Sequence, residues 1–396
     1  MPLGGHLISK EDLLEPGLFY PLTYMVCRDC WAFQSVESIP EVLLRAENTY
    51  VVATSSTLVE RDGRVAREAD ERLRRGRPRF VVEVGGADGV CIENFLKFGD
   101  RVLNIEPSGV TAALSRARNV ETINEFLTPE LAQRVVRDFG HPDLVLAKQV
   151  LGNVMDPHTF CEGLRLLLSG EGRILVEVPS ARNVLENNFY DVLSHINRYV
   201  FSLLSLEKLL GMHGLQIEDG INYEELGGGF RLYVGLAGRV RRARSVQDLA
   251  DIELRSGLDT MEYYVRGLRR GNSLKRKLFD LVDDLKTAGK KVVGFGAGIK
   301  GSTLLNFCGL DRRYLDYVVD NGKHKQGKFM PGTRLPVVSL DHLTDDVDYI
   351  LLLAWLYQDE VMKSLEGFLE RGGRVIVPVP DTHIIEKQHP AKRVSG

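Results

Sequence analysis

The sequence predicts an α/β protein: two doubly wound parallel sheets in series, preceded by a small N-terminal element. Three observations carry that expectation. Short apolar runs alternate with stretches of helical periodicity, a glycine-rich turn follows the first run of each set, and 396 residues exceed what one hydrophobic core usually organises. With 44% hydrophobic and 27% charged residues the chain has an ordinary globular composition. Its 51 Lys and Arg against 54 Asp and Glu leave a formal net charge of -3, which gives no electrostatic reason to expect nucleic acid or an anionic membrane as partner. Attention therefore moves to a small-molecule substrate and to a monomer or small homo-oligomer. The strongest apolar stretch, Tyr349 to Tyr357, falls far short of the roughly 20 residues that cross a bilayer, and the N-terminus lacks signal-peptide order, so a cytoplasmic location is expected.

In chain order, R-F-V-V-E-V (Arg79 to Val84) reads as a strand ending in glycines, N-F-L-K-F as a helix and R-V-L-N-I-E (Arg101 to Glu106) as the next strand. D-L-V-L-A (Asp143 to Ala147), a helix near Cys161 to Leu168 and G-R-I-L-V-E-V (Gly172 to Val178) continue the alternation. A basic helical region follows between Gly238 and Lys290, with Leu274, Leu278, Leu281 and Leu285 at helical spacing and its arginines read as solvated faces. The second set runs K-K-V-V-G-F-G (Lys290 to Gly296), L-D-Y-V-V-D (Leu315 to Asp320), Y-I-L-L-L (Tyr349 to Leu353) and R-V-I-V-P-V-P (Arg374 to Pro380). The expected domains are 1–60, 61–238 and 239–396. No repeat of solenoid period and no low-complexity tract interrupts them.

Five cysteines do not form a disulfide scaffold. Cys27 and Cys30 form C-R-D-C, half of a tetrahedral zinc set, with His6 the one nearby candidate to extend it; two thiols in a turn is the plainer reading. Cys91, Cys161 and Cys308 lie in apolar or helical surroundings and read as small buried hydrophobes.

The first glycine loop, V-V-E-V-G-G-A-D-G, sets Gly85, Gly86 and Gly89 after a strand that carries Glu83, and the second strand ends in Glu106, Pro107 and Ser108. An acid at the end of strand two can accept from both hydroxyls of a ribose, which nicotinamide dinucleotides and S-adenosylmethionine share. The spacing separates them: a pyrophosphate asks for G-x-G-x-x-G, while here E-x-G-x-x-x-G places Asp88 beside the loop, suiting an ammonium and a sulfonium. The second loop, G-F-G-A-G-I-K-G, does contain G-x-G-x-x-G as Gly296, Gly298 and Gly301, followed by a strand ending in Asp320. Lys300 inside it, with Lys323, Lys325 and Lys328 beyond, supplies cations for a diphosphate, whether of NAD or of a sugar nucleotide.

The order of these segments resembles the sugar-nucleotide C-methyltransferases, which methylate a ring carbon of a nucleotide-linked keto-deoxysugar with S-adenosylmethionine. The resemblance covers nearly the whole chain. F-Y-P-L-T-Y-M-V-C-R-D-C-W-A-F-Q is similar to that family's second zinc knuckle, and G-F-G-A-G-I-K-G-S-T-L-L-N-F-C-G, V-V-D-N-G-K-H-K-Q-G-K-F-M-P-G-T-R-L-P and L-L-L-A-W are similar to its C-terminal Rossmann-like domain. It implies a shortened zinc-binding element, a central methyltransferase domain and a C-terminal domain whose glycine loop serves the substrate. The first C-x2-C of the family is absent. F-Y-D-V-L-S-H-I-N-R-Y-V-F-S keeps Tyr190, Asp191, His195 and Phe201 of a motif whose other positions hold Ser194, Ile196 and Asn197. Leu226, in L-G-G-G-F-R, and Asn153, in K-Q-V-L-G-N-V-M-D, stand where the family has histidines. Gln149 and Asn153 remain candidates at the cofactor end.

Methylation at carbon needs a base to remove the proton beside a ketone and a donor to hold the enolate. His195 is the first candidate base, with Tyr190, Tyr199 and Glu225 as neighbours that orient it or exchange protons. Gly228 and Arg231 are candidates for the substrate's phosphate or keto oxygen. Three alternatives stand beside this reading: an NAD-dependent oxidoreductase using Gly296 to Asp320, transfer to oxygen or nitrogen, and a catalytically silent binding protein.

Overall fold

The computed structural model describes residues 1–37, 39, 51–73 and 79–387. Residues 38 and 40–50 of the expected N-terminal element and 388–396 of the expected C-terminal domain therefore lie outside the described residues. The chain divides into two compact units, Leu22–Glu186 with His195–Gly267, and Met1–Pro21 with Asn187–Ser194 and Leu268–Gly396.

The first unit contains a small antiparallel sheet of β1 (Tyr24–Val26), β2 (Phe33–Ser35) and β8 (Tyr199–Val200). Its main sheet has seven strands in the order β5-β4-β3-β6-β7-β10-β9, with β3 Phe80–Val84, β4 Arg101–Ile105, β5 Thr122–Ile123, β6 Leu144–Lys148, β7 Arg173–Val178, β9 Leu215–Tyr223 and β10 Gly229–Leu236. β3 to β7 run parallel, as the continuous apolar runs require of strands covered on both faces. Alternation splits their side chains. Val82, Val84, Leu103, Val145 and Val176 pack on one face with Leu131, Val135 and Leu164 of the helices Pro129–Phe139 and Pro157–Leu167. Val81, Val102, Leu144, Leu146 and Leu175 pack on the other with Val65, Ala66 and Ala69 of the helix Ser56–Leu73.

Two strands depart from the all-parallel expectation. β9 and β10 form an antiparallel hairpin, because the turn Glu224 to Gly228 between them is far too short for the crossover that a parallel pair needs. β10 pairs with β7, so the hairpin extends the sheet and brings Tyr223 and Gly229 to its carboxyl edge, beside Val178.

The second unit holds a six-stranded sheet, β13-β12-β11-β14-β15-β16, from β11 Val292–Phe295, β12 Val318–Val319, β13 Val337–Val338, β14 Tyr349–Leu352, β15 Arg374–Val377 and β16 His383–Glu386. β16 is antiparallel and was not expected, since R-V-I-V-P-V-P reads as the closing strand. Leu278, Leu304, Leu305, Leu351 and Ile376 form its core. Cys91, Cys161 and Cys308 are buried, as read from their surroundings. Among the described residues no helix is long and apolar enough to cross a membrane.

One buried acid makes the fold pH-dependent. Glu253, on the helix Arg244–Ser256, accepts the N–H groups of Leu203 and Leu204 at the start of the helix Leu203–Met212. Burial pushes its carboxyl up to about 7, against the two N–H donors and Arg182, with Glu207 adding a smaller push upward. Between the unfolded value of about 4.5 and 7 the folded chain holds a proton that the unfolded chain releases. This group therefore favours folding below that window, and its contribution falls as pH rises through it. Glu253→Gln is expected to flatten the decline by at most about 1.4 kcal/mol per pH unit, read from urea midpoints at pH 5, 6, 7 and 8.

Candidate active site

The first glycine loop is fastened by the acid that ends β4. Glu106 Oε2 accepts the Ala87 N–H at 2.9 Å and Oε1 accepts the Ser108 N–H at 2.8 Å. An ionised carboxylate offers about four lone-pair sites, so two remain for two ribose hydroxyls. The second sheet repeats the device: Asp320 Oδ2 accepts the Ala297 N–H at 2.7 Å and Oδ1 the Gly322 N–H at 2.8 Å. Here Lys325 Nζ also sits 3.1 Å from Oδ2, leaving about one site free. The first loop thus keeps room for a vicinal diol, and the second does not.

Glu83 is buried beneath the first loop, with Lys148 Nζ 3.6 Å from its Oε1 and no hydrogen bond to Oε2. Burial pushes its carboxyl up to about 7, opposed by Lys148. An unmet buried carboxyl oxygen at the loop and the open lone pairs of Glu106 fit the ammonium and the ribose of S-adenosylmethionine; when bound, that cosubstrate supplies an electrophilic methyl. Gly85, at φ +68°, is required twice over, because a Cβ there would also lie 2.2 Å from Val150 Cγ2. A Cβ on Gly86 would lie 2.5 Å from Asn104 Oδ1 and 2.9 Å from Glu83, and one on Gly89 2.6 Å from Ser115 Oγ. Pro107, partly buried, separates Glu106 from Ser108, one of the two residues whose N–H this acid accepts.

Asp88 has a different partner from the one its sequence position suggests. It is fully buried, and its two oxygens accept the N–H groups of Val52 and Ala53, so it anchors the turn before the helix Ser56–Leu73. Arg231 is likewise committed. Its Nε donates to Glu177 at 2.6 Å and its Nη1 to Glu68, which removes it as a free phosphate ligand. Glu177 is fully buried and also takes Arg61 Nη2 at 2.7 Å, and Arg61, Lys148 and Arg231 hold its carboxyl below the usual range against the burial that would raise it. Lys148, Asp62 and Glu83 continue the charges across the sheet. Sequence reading missed Arg61, Glu177, Lys148 and Tyr223. A charged residue inside an otherwise apolar strand, such as Glu177 in R-I-L-V-E-V, was the available signal.

The expected neighbours of the candidate base have other partners in the structure. His195 is buried, with Glu37 in electrostatic reach. Glu225 is half-exposed and paired with Arg64 at 2.7 Å, and Tyr199 donates to Met155 O at 3.5 Å, so neither orients the imidazole. Tyr190 belongs to the other unit, where it packs on Gly271 and stacks on Phe307. Gly228 makes room for Asn183 and the Tyr223 carbonyl. Asn153 donates to Gln149 O at 2.9 Å and fixes the turn after β6.

In the second unit, Gly296 and Gly301 serve close packing, since a Cβ on Gly301 would lie 2.6 Å from Gly296 O. Gly298 faces open space at the start of the helix Ile299–Cys308. Burial lowers the Lys300 ammonium, opposed by Asp191, whose Oδ2 accepts the Trp355 indole N–H at 2.7 Å and whose Oδ1 has no partner. Cys27 and Cys30 are partly buried free thiols, and among the described residues no cluster of three metal-ligating side chains forms around them. Among the described residues, two thiols alone leave a tetrahedral zinc set incomplete.

A parallel sheet with a glycine loop, a diol-ready acid after its second strand and an antiparallel hairpin at its far edge defines a class I S-adenosylmethionine-dependent methyltransferase. The methyltransferase-domain family model matches residues 59–219, and the C-methyltransferase C-terminal domain model matches 224–380. The C-methyltransferase NovU of Streptomyces niveus is 32% identical over 98% of this chain and 93% of its own length. The chain belongs to this C-methyltransferase family. Among solved structures it aligns with the PH0226 protein of Pyrococcus horikoshii OT3 at TM-score 0.39 and 13% identity, over 50% of this chain and 100% of that one. It also aligns with the 1,6-didemethyltoxoflavin-N1-methyltransferase of Burkholderia thailandensis at TM-score 0.39 and 18% identity, over 53% and 96%.

Removing Glu177 would leave the Arg61 and Arg231 guanidiniums buried without their shared counter-charge. Glu177→Ala is expected to cost about 3–5 kcal/mol in the urea-unfolding free energy, and a loss below about 1 kcal/mol would refute the bridging role.

Proposed function

We propose that this chain transfers the methyl of S-adenosylmethionine to a ring carbon of a nucleotide-activated keto-deoxysugar, next to the ketone. Membership of the C-methyltransferase family over the full chain carries the carbon-transfer part of this reading. The nucleotide part rests on the open Gly298 at the start of the helix Ile299–Cys308, with Lys300 as the second residue of that helix and the exposed Lys323 just after the strand that ends in Asp320. Backbone N–H groups and ammonium groups of this kind suit a diphosphate. Glu106 receives the ribose of the methyl donor, and Glu83 lies toward its ammonium.

His195 is the proposed base. It is buried, and an imidazole is the side chain most often used as a general base. The lone-pair count at Asp320 weighs against the oxidoreductase alternative, because Lys325 occupies a site that a dinucleotide ribose would use.

Calorimetry is expected to show saturable binding of S-adenosylhomocysteine, weakened at least about tenfold in Glu106→Ala, and no saturable binding of NAD. Saturable NAD binding without a response to S-adenosylhomocysteine would overturn the reading. Incubation with nucleotide-linked 4-keto sugars is expected to give a product one methyl group heavier by mass spectrometry. In the same mixtures without methyl donor, His195→Ala should abolish exchange of the sugar's α-proton with deuterated water while S-adenosylhomocysteine still binds; surviving exchange assigns the base elsewhere.

A further inference from the structure

Glu83 lies in β3 directly under the first glycine loop, and the charges around it leave it short of a partner. It is 2% exposed, and a Cβ on Gly86 would lie 2.9 Å from its carboxyl carbon, so the loop backbone covers it. From β6, Lys148 Nζ stands 3.6 Å from Glu83 Oε1 but 2.8 Å from Oδ1 of Asp62, on the helix Ser56–Leu73, so its ammonium serves Asp62 first. From the same helix Arg61 donates to Glu177 of β7 at 2.7 Å, and Arg231 of β10 donates to Glu177 and Glu68. Burial pushes the Cys91 thiol, in the turn beyond the loop, well up, so it brings no charge.

Three bases, Arg61, Lys148 and Arg231, thus meet four acids, Asp62, Glu68, Glu83 and Glu177. The shortage falls on Glu83, whose Oε2 meets no hydrogen-bond partner among the described residues. A carboxylate in that place is a buried charge with one side empty, and either a proton or a further cation relieves it. Burial, with Asp62 adding to it against Lys148 and the Ile92 N–H, raises this carboxyl to about 7.

We propose that the ammonium of the methyl donor displaces a proton from Glu83, so that binding of S-adenosylmethionine or S-adenosylhomocysteine expels about one proton and tightens as pH rises. The inference rests on the reading above that places the ribose at Glu106 and the ammonium toward Glu83. The exchange balances without a covalent change in the ligand: the O–H electron pair stays on the carboxylate, the proton passes to the buffer, and the ammonium enters intact. Below about 7 the free site holds the proton and the ligand has to expel it. Above that value the carboxylate is already formed, and the affinity levels off. Asp62 sets this behaviour, because by holding Lys148 it leaves Glu83 open to a cation that the ligand brings.

The test is titration calorimetry of the whole chain with S-adenosylhomocysteine at pH 6 and pH 8, each in two buffers of different ionisation enthalpy. The ligand's α-ammonium, like that of a free amino acid, keeps its own proton over this range. Wild type is expected to release about 0.9 proton at pH 6 and about 0.1 at pH 8, with Kd about tenfold tighter at pH 8. Methylthioadenosine, which carries the ribose and adenine but no ammonium, should bind without proton release. Glu83→Gln, neutral at every pH, should bind S-adenosylhomocysteine without proton release. Glu253→Gln, which removes an acid raised to the same range elsewhere in the fold, should release the wild-type count. Should Glu83→Gln fail to fold, the loss of a protonated-carboxyl infrared band when wild type binds S-adenosylhomocysteine, and not methylthioadenosine, reads the same exchange. A buffer-independent binding enthalpy at pH 6, equal release with methylthioadenosine, release that survives Glu83→Gln, or release lost in Glu253→Gln overturns the proposal. Wild type that binds S-adenosylhomocysteine at neither pH overturns the donor reading instead, and this inference falls with it.

Discussion

A glycine loop leaving the buried end of a parallel strand presents backbone N–H groups that no neighbouring strand can pair. In both sheets of this chain a carboxylate from the next strand takes them. Glu106 fixes Ala87, and Asp320 fixes Ala297, each also accepting the N–H two residues further along its own chain. Buried N–H groups must find acceptors, so these acids shape the loops before any ligand arrives. What differs is the remainder: Glu106 keeps two acceptor sites, while Lys325 takes a further one from Asp320. One local device thus leaves different acceptor capacity in the two sheets.

The second organising feature is charge held inside the first unit. Arg61, Arg231 and Lys148 face Asp62, Glu68, Glu83 and Glu177 across the ends of β3, β6, β7 and β10. Such a set is costly to desolvate, and each member is retained because its neighbours would otherwise stand uncompensated. The result is a rigid polar floor. Arg231 belongs to that floor, and the Tyr223 ring packs against it, within 5.5 Å of both guanidiniums.

Much of the fold was legible because parallel strands buried on both faces must be continuous apolar runs. R-F-V-V-E-V, R-V-L-N-I-E and Y-I-L-L-L announced β3, β4 and β14 to within a residue or so. The β9–β10 hairpin was harder to read. N-Y-E-E-L-G-G-G-F-R looks like a substrate loop in one dimension, and only pairing with β7 makes it the edge of a sheet. The site divided in the same way. Spacing alone put Glu83, Gly85 and Glu106 at the first loop, whereas it could not reveal the partners of Asp88 and Arg231, since Val52 and Glu68 are tens of residues or more away.

By itself the sequence determined where strands, helices and glycine turns fall, since hydrophobic period and glycine placement are local properties. It also determined that an acid follows the second strand of each sheet. Tertiary structure alone decided which charges neutralise one another and which polar groups remain open. Arg231 becomes a structural ion because residues from the helix Ser56–Leu73, β7 and the hairpin converge on one edge. Whether a polar group is satisfied depends on every element packed around it, and no spacing along a single chain records that.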